Sequence, residues 1–312
     1  MIYVFGSITR DYLFRFPCQF DTQVLTGDPF NLSLLVDHMV EVRGGTAANI
    51  AYNLRLLGVP VGIASAVGTD SQDYVTWLSS HHIQTDDIAV LEDVCTATAF
   101  IVTDSTGNQI SIFFPGALEY VVDAVYALFD WTRLSMAIIS AGTSLGLRYA
   151  VDSCLTHSVK YLYNPGQSVA GLTSHDLVKG ITGASVLIVN EFELKQIENI
   201  TGLGENEILD FGLLLVVTLG NRGSVLRQGG RHISVSAVQP VTNIDPTGAG
   251  DAYCAGLVKG LLDDQPLEIV GRVASLAASY SVEHNGPVEH SYEWHEFVGR
   301  YTLEWGNSYH IQ

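Results

Sequence analysis

Positive charge is scarce in this chain. Its 312 residues carry 15 Lys and Arg against 33 Asp and Glu, a formal net charge of −18. A surface of that sign repels the phosphates of nucleic acid and the anionic face of a membrane, which excludes both as partners. Cysteine is scarce too. Cys18, Cys95, Cys154 and Cys254 are scattered, with no Cys-x-x-Cys, so a zinc ribbon or thioredoxin-like centre is excluded and reduced thiols are expected. No apolar run is long enough to span a bilayer. The Met1–Gly6 stretch is too short for a signal peptide, and Arg10 and Asp11 follow at once, so the expectation is a cytoplasmic enzyme. Common catalytic signatures are missing as well. There is no Gly-Lys dipeptide, hence no Walker A loop. No Gly-x-Gly-x-x-Gly occurs at Gly220 or Gly248, and no His-Glu-x-x-His anywhere, which disfavours a dinucleotide oxidoreductase and excludes a zinc protease.

What is abundant is apolar residue, 47% of the chain, enough for a sizeable core. Ile2 to Phe5, Val61 to Ala66, Met136 to Ser140, Lys160 to Tyr163, Val186 to Val189 and Leu213 to Thr218 read as strands. Thr46 to Leu57 and Tyr74 to Ser80 read as helix. Strands alternating with helical patterns predict an α/β fold, with a mostly parallel sheet covered on both faces. Ligands of such sheets bind beyond the carboxyl ends of the strands, where Asn190 and Thr218 fall. Two segments break the rhythm. Residues 11–42 are long and irregular. Thr96 to Pro115 reads as a β-hairpin around Asp104-Ser105-Thr106-Gly107-Asn108, with Phe100, Ile112 and Phe114 on one face by parity.

The most informative stretch is Asn243-Ile244-Asp245-Pro246-Thr247-Gly248-Ala249-Gly250-Asp251, followed by Cys254, Leu257, Val258, Leu261 and Leu262 at helical spacing. A Gly-Ala-Gly entry leaves the first N–H groups of a helix open to an anion. A carboxylate at Asp251 in the first turn then lies beside the anion hole. That pairing suits transfer of a phosphoryl group to an alcohol, with Gly248, Ala249 and Gly250 holding the charge and Asp251 as general base. The plainer reading of Asp251 is an acidic residue favoured by the helix dipole.

Asp245-Pro246-Thr247-Gly248-Ala249-Gly250-Asp251 resembles the C-terminal signature of the ribokinase family of sugar and nucleoside kinases. Gly44-Gly45-Thr46-Ala47-Ala48-Asn49 is similar to its Gly-Gly-x-x-x-Asn signature, and Asn190-Glu191-Phe192-Glu193 to its Asn-x-x-Glu element. Thr218-Leu219-Gly220-Asn221-Arg222-Gly223 matches its nucleotide turn, and Gly6 with Asp11 its opening Gly-x-x-x-x-Asp. All five occur in family order over nearly the whole chain. The resemblance implies one ribokinase-like kinase domain over residues 1–312, with lid segments at about 11–42 and 96–117. It implies ATP and Mg²⁺ as cofactors. Asp11, Gly45, Thr46 and Asn49 would hold the acceptor, and Asn190, Thr218, Gly220 and Gly223 the nucleotide. Glu193, with Asn190, would organise Mg²⁺ through water, although Asn190 and Glu193 also read as a helix capping box. Asp245 and Thr247 are candidates for a monovalent cation such as K⁺, as in some relatives. Small residues from Ala274 to Ser279 suit either an adenine or close helix packing.

The acceptor is the least legible part. The hairpin and Tyr163-Asn164-Pro165-Gly166-Gln167 are most similar to bacterial adenosine-kinase-like members. An apolar lid face of Phe100, Ile112 and Phe114 would cover a purine; the alternative is a face packed on the protein or on a dimer partner. Few basic residues stand near the signatures, Arg43 being nearest, which tilts against a phosphorylated sugar. The expectation is a nucleoside, adenosine first, phosphorylated on its 5′-hydroxyl, with a plain sugar second, in a monomer or a lid-mediated homodimer. One rival comes from another reaction class. Gly142-Thr143-Ser144-Leu145-Gly146 matches the Gly-x-Ser-x-Gly of serine hydrolases, with Asp176 and His284 downstream.

Overall fold

The computed structural model describes residues 1–20, 33–242 and 244–306. In chain order the elements are β1 (Ile2–Phe5), β2 (Thr9–Arg15), β3 (His38–Gly44), α1 (Thr46–Leu56), β4 (Val61–Gly68), α2 (Gln72–Ser80), β5 (Ile88–Leu91), β6 (Ala97–Thr103), β7 (Gln109–Phe114) and β8 (Met136–Ser140). There follow α3 (Ser144–Thr156), β9 (Tyr161–Asn164), α4 (Ser174–Gly183), β10 (Val186–Asn190), α5 (Glu191–Thr201), α6 (Glu205–Leu209), β11 (Leu214–Thr218), β12 (Ser224–Gln228), β13 (Arg231–Val235), α7 (Ala249–Leu262), α8 (Leu267–Val282) and α9 (Trp294–Trp305).

The large sheet has nine strands in the order β13-β12-β11-β10-β9-β8-β1-β4-β5. It is parallel from β11 to β5, and β12 and β13 close one edge antiparallel. Alternation along β1 shows why helices cover both faces. Ile2 and Val4 join a core with residues of α1, α7 and α8, whereas Tyr3 and Phe5 join a second core with residues of α3 and α4. Phe5 stacks on Trp131 with ring centroids 4.5 Å apart. No helix among the described residues is long and apolar enough to cross a membrane.

A second sheet forms a lid, in the order β3-β2-β6-β7. Here the irregular reading of residues 11–42 is corrected at both ends. Val40 and Val42 alternate with polar neighbours in β3, which pairs antiparallel with β2; residues 21–32, in the middle, lie outside the described ones. The hairpin at 96–117 is present as β6 and β7.

The register corrects the lid face. Asp11 sits opposite Val42 and Ala99, and Ala99 opposite Phe113, so these four share one side of the sheet. Tyr12, Phe100 and Ile112 share the other side, and the Tyr12 ring stacks on Phe100 at 5.4 Å. Phe100, Ile112 and Phe114 therefore do share a face, as parity required, but it is the face turned away from Asp11. They are 37%, 62% and 51% exposed. Strand parity groups residues without saying which group looks inward.

Candidate active site

The Gly-Ala-Gly stretch opens α7. Gly248 is its N-cap in the left-handed region, φ 79°, and a Cβ there would come within 2.3 Å of the Pro287 Cβ. Gly250 is different. A Cβ built on it meets nothing within 4 Å. Protein packing thus explains the glycine at 248 and leaves that at 250 to open space. Among the described residues no carbonyl accepts from the backbone N–H of Gly250 or Asp251, as expected of an open helix N-terminus. The approach is braced by Asp245, whose Oδ1 accepts from the Thr247 N–H at 2.9 Å and Oδ2 from the Gly286 N–H at 3.0 Å. Asn243 lies outside the described residues.

The base candidate faces the acceptor candidates. Asn49, on α1, donates from Nδ2 to Asp251 Oδ2 at 2.8 Å, and its own Oδ1 is buried with no partner among the described residues. Asp11 on β2 is buried and accepts from the Thr9 hydroxyl at 2.5 Å. Burial lifts the Asp251 carboxyl to about 7; the Asn49 hydrogen bond opposes this, and the charges of Asp11 and Glu193 add to it. Burial likewise lifts Asp11 to about 6 against the pull of Thr9. Gly45 has φ 98° and abuts the Ser7 carbonyl, 2.5 Å from where a Cβ would stand. Ser7 caps α1: its Oγ accepts from the Thr46 N–H at 3.1 Å and its carbonyl from the Ala47 N–H at 3.0 Å. The Thr46 hydroxyl donates to the Ala141 carbonyl at 2.9 Å, so it ties α1 to the end of β8.

Of the two readings of Asn190 and Glu193, the structure shows the cap. They form a capping box on α5: Asn190 Oδ1 accepts from the Glu193 N–H at 2.8 Å and Glu193 Oε2 from the Asn190 N–H at 2.9 Å. Burial raises the Glu193 carboxyl, against those same bonds. Both line a cleft of about 170 Å³ with Thr218, Gly248, Gly250, Asp251, Asn164 and Gln167. In the nucleotide turn Gly220 (φ 60°) faces open space, whereas a Cβ at Gly223 would strike the Val235 carbonyl at 2.0 Å.

A second cavity of about 370 Å³ shares Ala141 and Gln167 with the first. Phe113 and Pro115 of the lid segment, Ser7, Gly142, Thr143 and Ser168 line it, and no Lys or Arg lines either space. Phe113, Ser7, Asn164 and Gln167 are the residues sequence reasoning missed as site members. Phe113 is tied to Asp11 only through the β2–β6–β7 register, which the sequence does not show. Arg43 is committed elsewhere, 3.7 Å from Glu289 and over the Trp77 ring. The small residues of α8 serve packing: a Cβ at Gly256 would lie 2.7 Å from the Ala274 Cα. The hydrolase rival does not assemble. Ser144 Oγ donates to the Gly171 carbonyl, Asp176 belongs to the capping box of α4, and the His284 ring bonds the Tyr280 carbonyl.

Comparison with known proteins agrees with this arrangement. The model of the pfkB family of carbohydrate kinases matches residues 10–294. A nucleoside kinase of Methanothermobacter thermautotrophicus is 31% identical over 280 residues, 88% of this chain and 90% of that protein. The structure of a Burkholderia thailandensis nucleoside kinase in complex with inosine superposes with a TM-score of 0.92 at 29% identity, covering 99% of this chain and 100% of the other. A Methanocaldococcus jannaschii nucleoside kinase structure, from an archaeal member of the ribokinase family, superposes at 0.84 with 26% identity, covering 97% and 98%.

Proposed function

The chain belongs to the pfkB family of carbohydrate kinases, and from that premise we propose that it moves the γ-phosphoryl group of ATP to the 5′-hydroxyl of a nucleoside, adenosine first. One observation carries the choice of acceptor. Beside the cleft that holds Asp251, and sharing Ala141 and Gln167 with it, is a cavity of about 370 Å³ lined by Gly142, Thr143, Ser168 and Phe113, room that favours an acceptor larger than a plain sugar. An aromatic ring beside amide and hydroxyl groups suits a heterocyclic base, which needs a stacking face and a few hydrogen bonds. The whole-length similarity to nucleoside kinases supports the same reading.

Asp251, ionised, takes the proton of the primary hydroxyl. The freed oxygen attacks the γ-phosphorus in line, the new O–P bond forms, the bond to the β-phosphate bridge breaks, and ADP leaves. The exposed N–H groups at Gly250 and Asp251 meet the charge that gathers on the transferring oxygens. Asn49 Oδ1, which has no partner among the described residues, would in this reading accept from an acceptor hydroxyl. Asp11 accepts from another, a pairing that suits a vicinal diol. Mg²⁺, when bound, would offset charge on the β- and γ-phosphates. Glu193 would suit a water-mediated hold on it, since its carboxylate is already engaged by the capping box and lines the cleft beside Asp251. Asp245 and Thr247 remain our candidates for a K⁺ beside the anion hole, checked by comparing rates in K⁺ and in a bulky cation. The domain assignment stays 1–312, with the lid inserted in it.

A plain sugar is the second reading, favoured by the ribokinase of Mus musculus at 29% identity over 268 residues. A phosphorylated sugar is disfavoured by the lack of Lys or Arg lining either space. A coupled assay of ATP consumption over adenosine, other nucleosides, ribose, fructose and fructose 6-phosphate separates these. Adenosine or another purine nucleoside should give the highest kcat/KM; a higher value for ribose or fructose would replace the nucleoside reading.

A further inference from the structure

The segment between α8 and α9 touches both halves of the site and has no part in the chemistry above. At one end Gly286 donates to Asp245, and Pro287 packs on Gly248, so the segment backs the anion loop. At the other end lies His290, fully buried. Two successive residues of α1 grip it. The Tyr52 hydroxyl donates to its backbone carbonyl at 2.7 Å, and Asn53 Oδ1 lies 2.8 Å from its Nε2.

The remaining bonds fix the protonation. Asn53 Nδ2 donates to the Asn49 carbonyl at 2.9 Å, so Asn53 turns its oxygen to the histidine. An amide oxygen only accepts, hence His290 Nε2 carries the hydrogen. His290 Nδ1 is buried with no partner among the described residues. A neutral ring is what such surroundings favour, and burial first, then His284, pushes its pKa down to about 4. The ring is therefore a fixed donor at any working pH. From it runs an unbroken line: His290 to Asn53, Asn53 to the Asn49 carbonyl, and the Asn49 side chain to Asp251.

We infer that His290 is a positioning residue: through Asn53 it holds α1 so that the Asn49 amide meets Asp251, while its own segment holds the anion loop that carries Asp251. The acceptor half and the phosphate half of the site are thereby set at one spacing by a group that touches neither substrate. This rests on the reading of Asp251 as base.

The test compares His290→Leu, which fills similar volume and has no donor, with His290→Gln, whose Nε2 stands the same number of bonds from the backbone and can donate. The leucine enzyme should lose about 10- to 100-fold in kcat, the scale of a small misplacement of reacting groups, with the KM for ATP unchanged. The glutamine enzyme should recover most of the loss. The pH profile gives a sign that mere loss of folded protein would not. The groups facing Asp251 are Asn49, which lowers its pKa, and Asp11 and Glu193, which raise it. Loosening Asn49 should move the acid limb of kcat/KM to higher pH in the leucine enzyme alone. A leucine enzyme with normal kcat and an unmoved limb overturns the inference, as does a glutamine enzyme that is folded and equally impaired. If the leucine enzyme does not fold, the glutamine enzyme decides alone. The two readings fail separately: normal kcat in Asp251→Asn removes the base, whereas normal kcat in His290→Leu beside an inactive Asp251→Asn removes only the positioning role of His290.

Discussion

Asp251 combines two demands that oppose each other. A base must be ionised, yet this carboxyl is raised to about 7 by burial, with Asp11 and Glu193 nearby. A base titrating near the working pH is an effective one, and kcat/KM should rise as pH passes upward through that value. Asp251→Asn should lose about 10²–10⁴-fold in kcat, with acceptor and ATP still bound in calorimetric titrations; a nearly normal kcat would remove Asp251 from the chemistry. The same substitution carries a stability signature. In the fold the carboxyl holds its proton up to about pH 7, whereas in the unfolded chain it releases it near the ordinary value of 3.8. The native state thus binds more protons between those limits, and stability falls as pH rises through them. An asparagine has no such cost, so the variant should melt above the wild type at pH 8, with the gap closing toward pH 5. A gap of opposite sign would mean that the folded pKa is not raised. At Glu193, the capping bonds use one carboxylate oxygen. Glu193→Gln should leave α5 capped and raise the Mg²⁺ concentration for half activity; an unshifted requirement in a metal titration would leave Glu193 with the cap alone.

At the scale of elements, period and punctuation were readable, and sidedness was not. The strands Ile2–Phe5 and Met136–Ser140 stand where apolar runs placed them. The helix after Gly45 begins at Thr46 because Gly45 must take a positive φ against the Ser7 carbonyl. The family resemblance implied one site for Asp251, Asn49 and Glu193; Asn49 bonds Asp251, and Glu193 lines the same cleft as Asp251. What escaped was mostly long-range. The short β5 owes its strand state to pairing with the sheet edge rather than to a strong local pattern, whereas the β12–β13 hairpin was signalled locally by Gly229 and Gly230, both at positive φ, and was passed over. The inward face of the lid depended on Asp11, which parity links to Phe113 only through the β2–β6–β7 register. A direct prediction follows for the lid. Phe113→Ala should raise the KM for a nucleoside about tenfold, the value of a stacked ring at 1–1.5 kcal/mol, and should leave the KM for ribose nearly unchanged. Phe100→Ala, on the far face, should leave both unchanged. Equal effects of the two substitutions in steady-state assays would return the purine to the outer face.

For the molecule as a whole, the unusual quantity is charge. On the proposed function, a protein of net −18 must bind a polyanion at a cleft whose own ionisable lining residues are Glu193 and Asp251. Backbone N–H groups supply local attraction at the anion loop, but they act over one helix turn, while the acidic surface acts over the screening length. That length shrinks from about 30 Å at 0.01 M salt to about 8 Å at 0.15 M. Approach of the nucleotide should therefore be opposed at low ionic strength and eased by salt, the reverse of what a basic phosphate site gives. The neutral acceptor should be indifferent. Steady-state kinetics in a graded tetramethylammonium chloride series, with Mg²⁺ and K⁺ held constant, keeps any specific cation effect out of the comparison. The KM for ATP should fall as salt is added and the KM for the nucleoside should stay level. A rising KM for ATP would mean that the local field at Gly248–Asp251 outweighs the surface. A falling KM for the acceptor as well would mean that the acceptor is itself an anion, which would reopen the phosphorylated sugar that the lack of Lys and Arg along the cavities argues against.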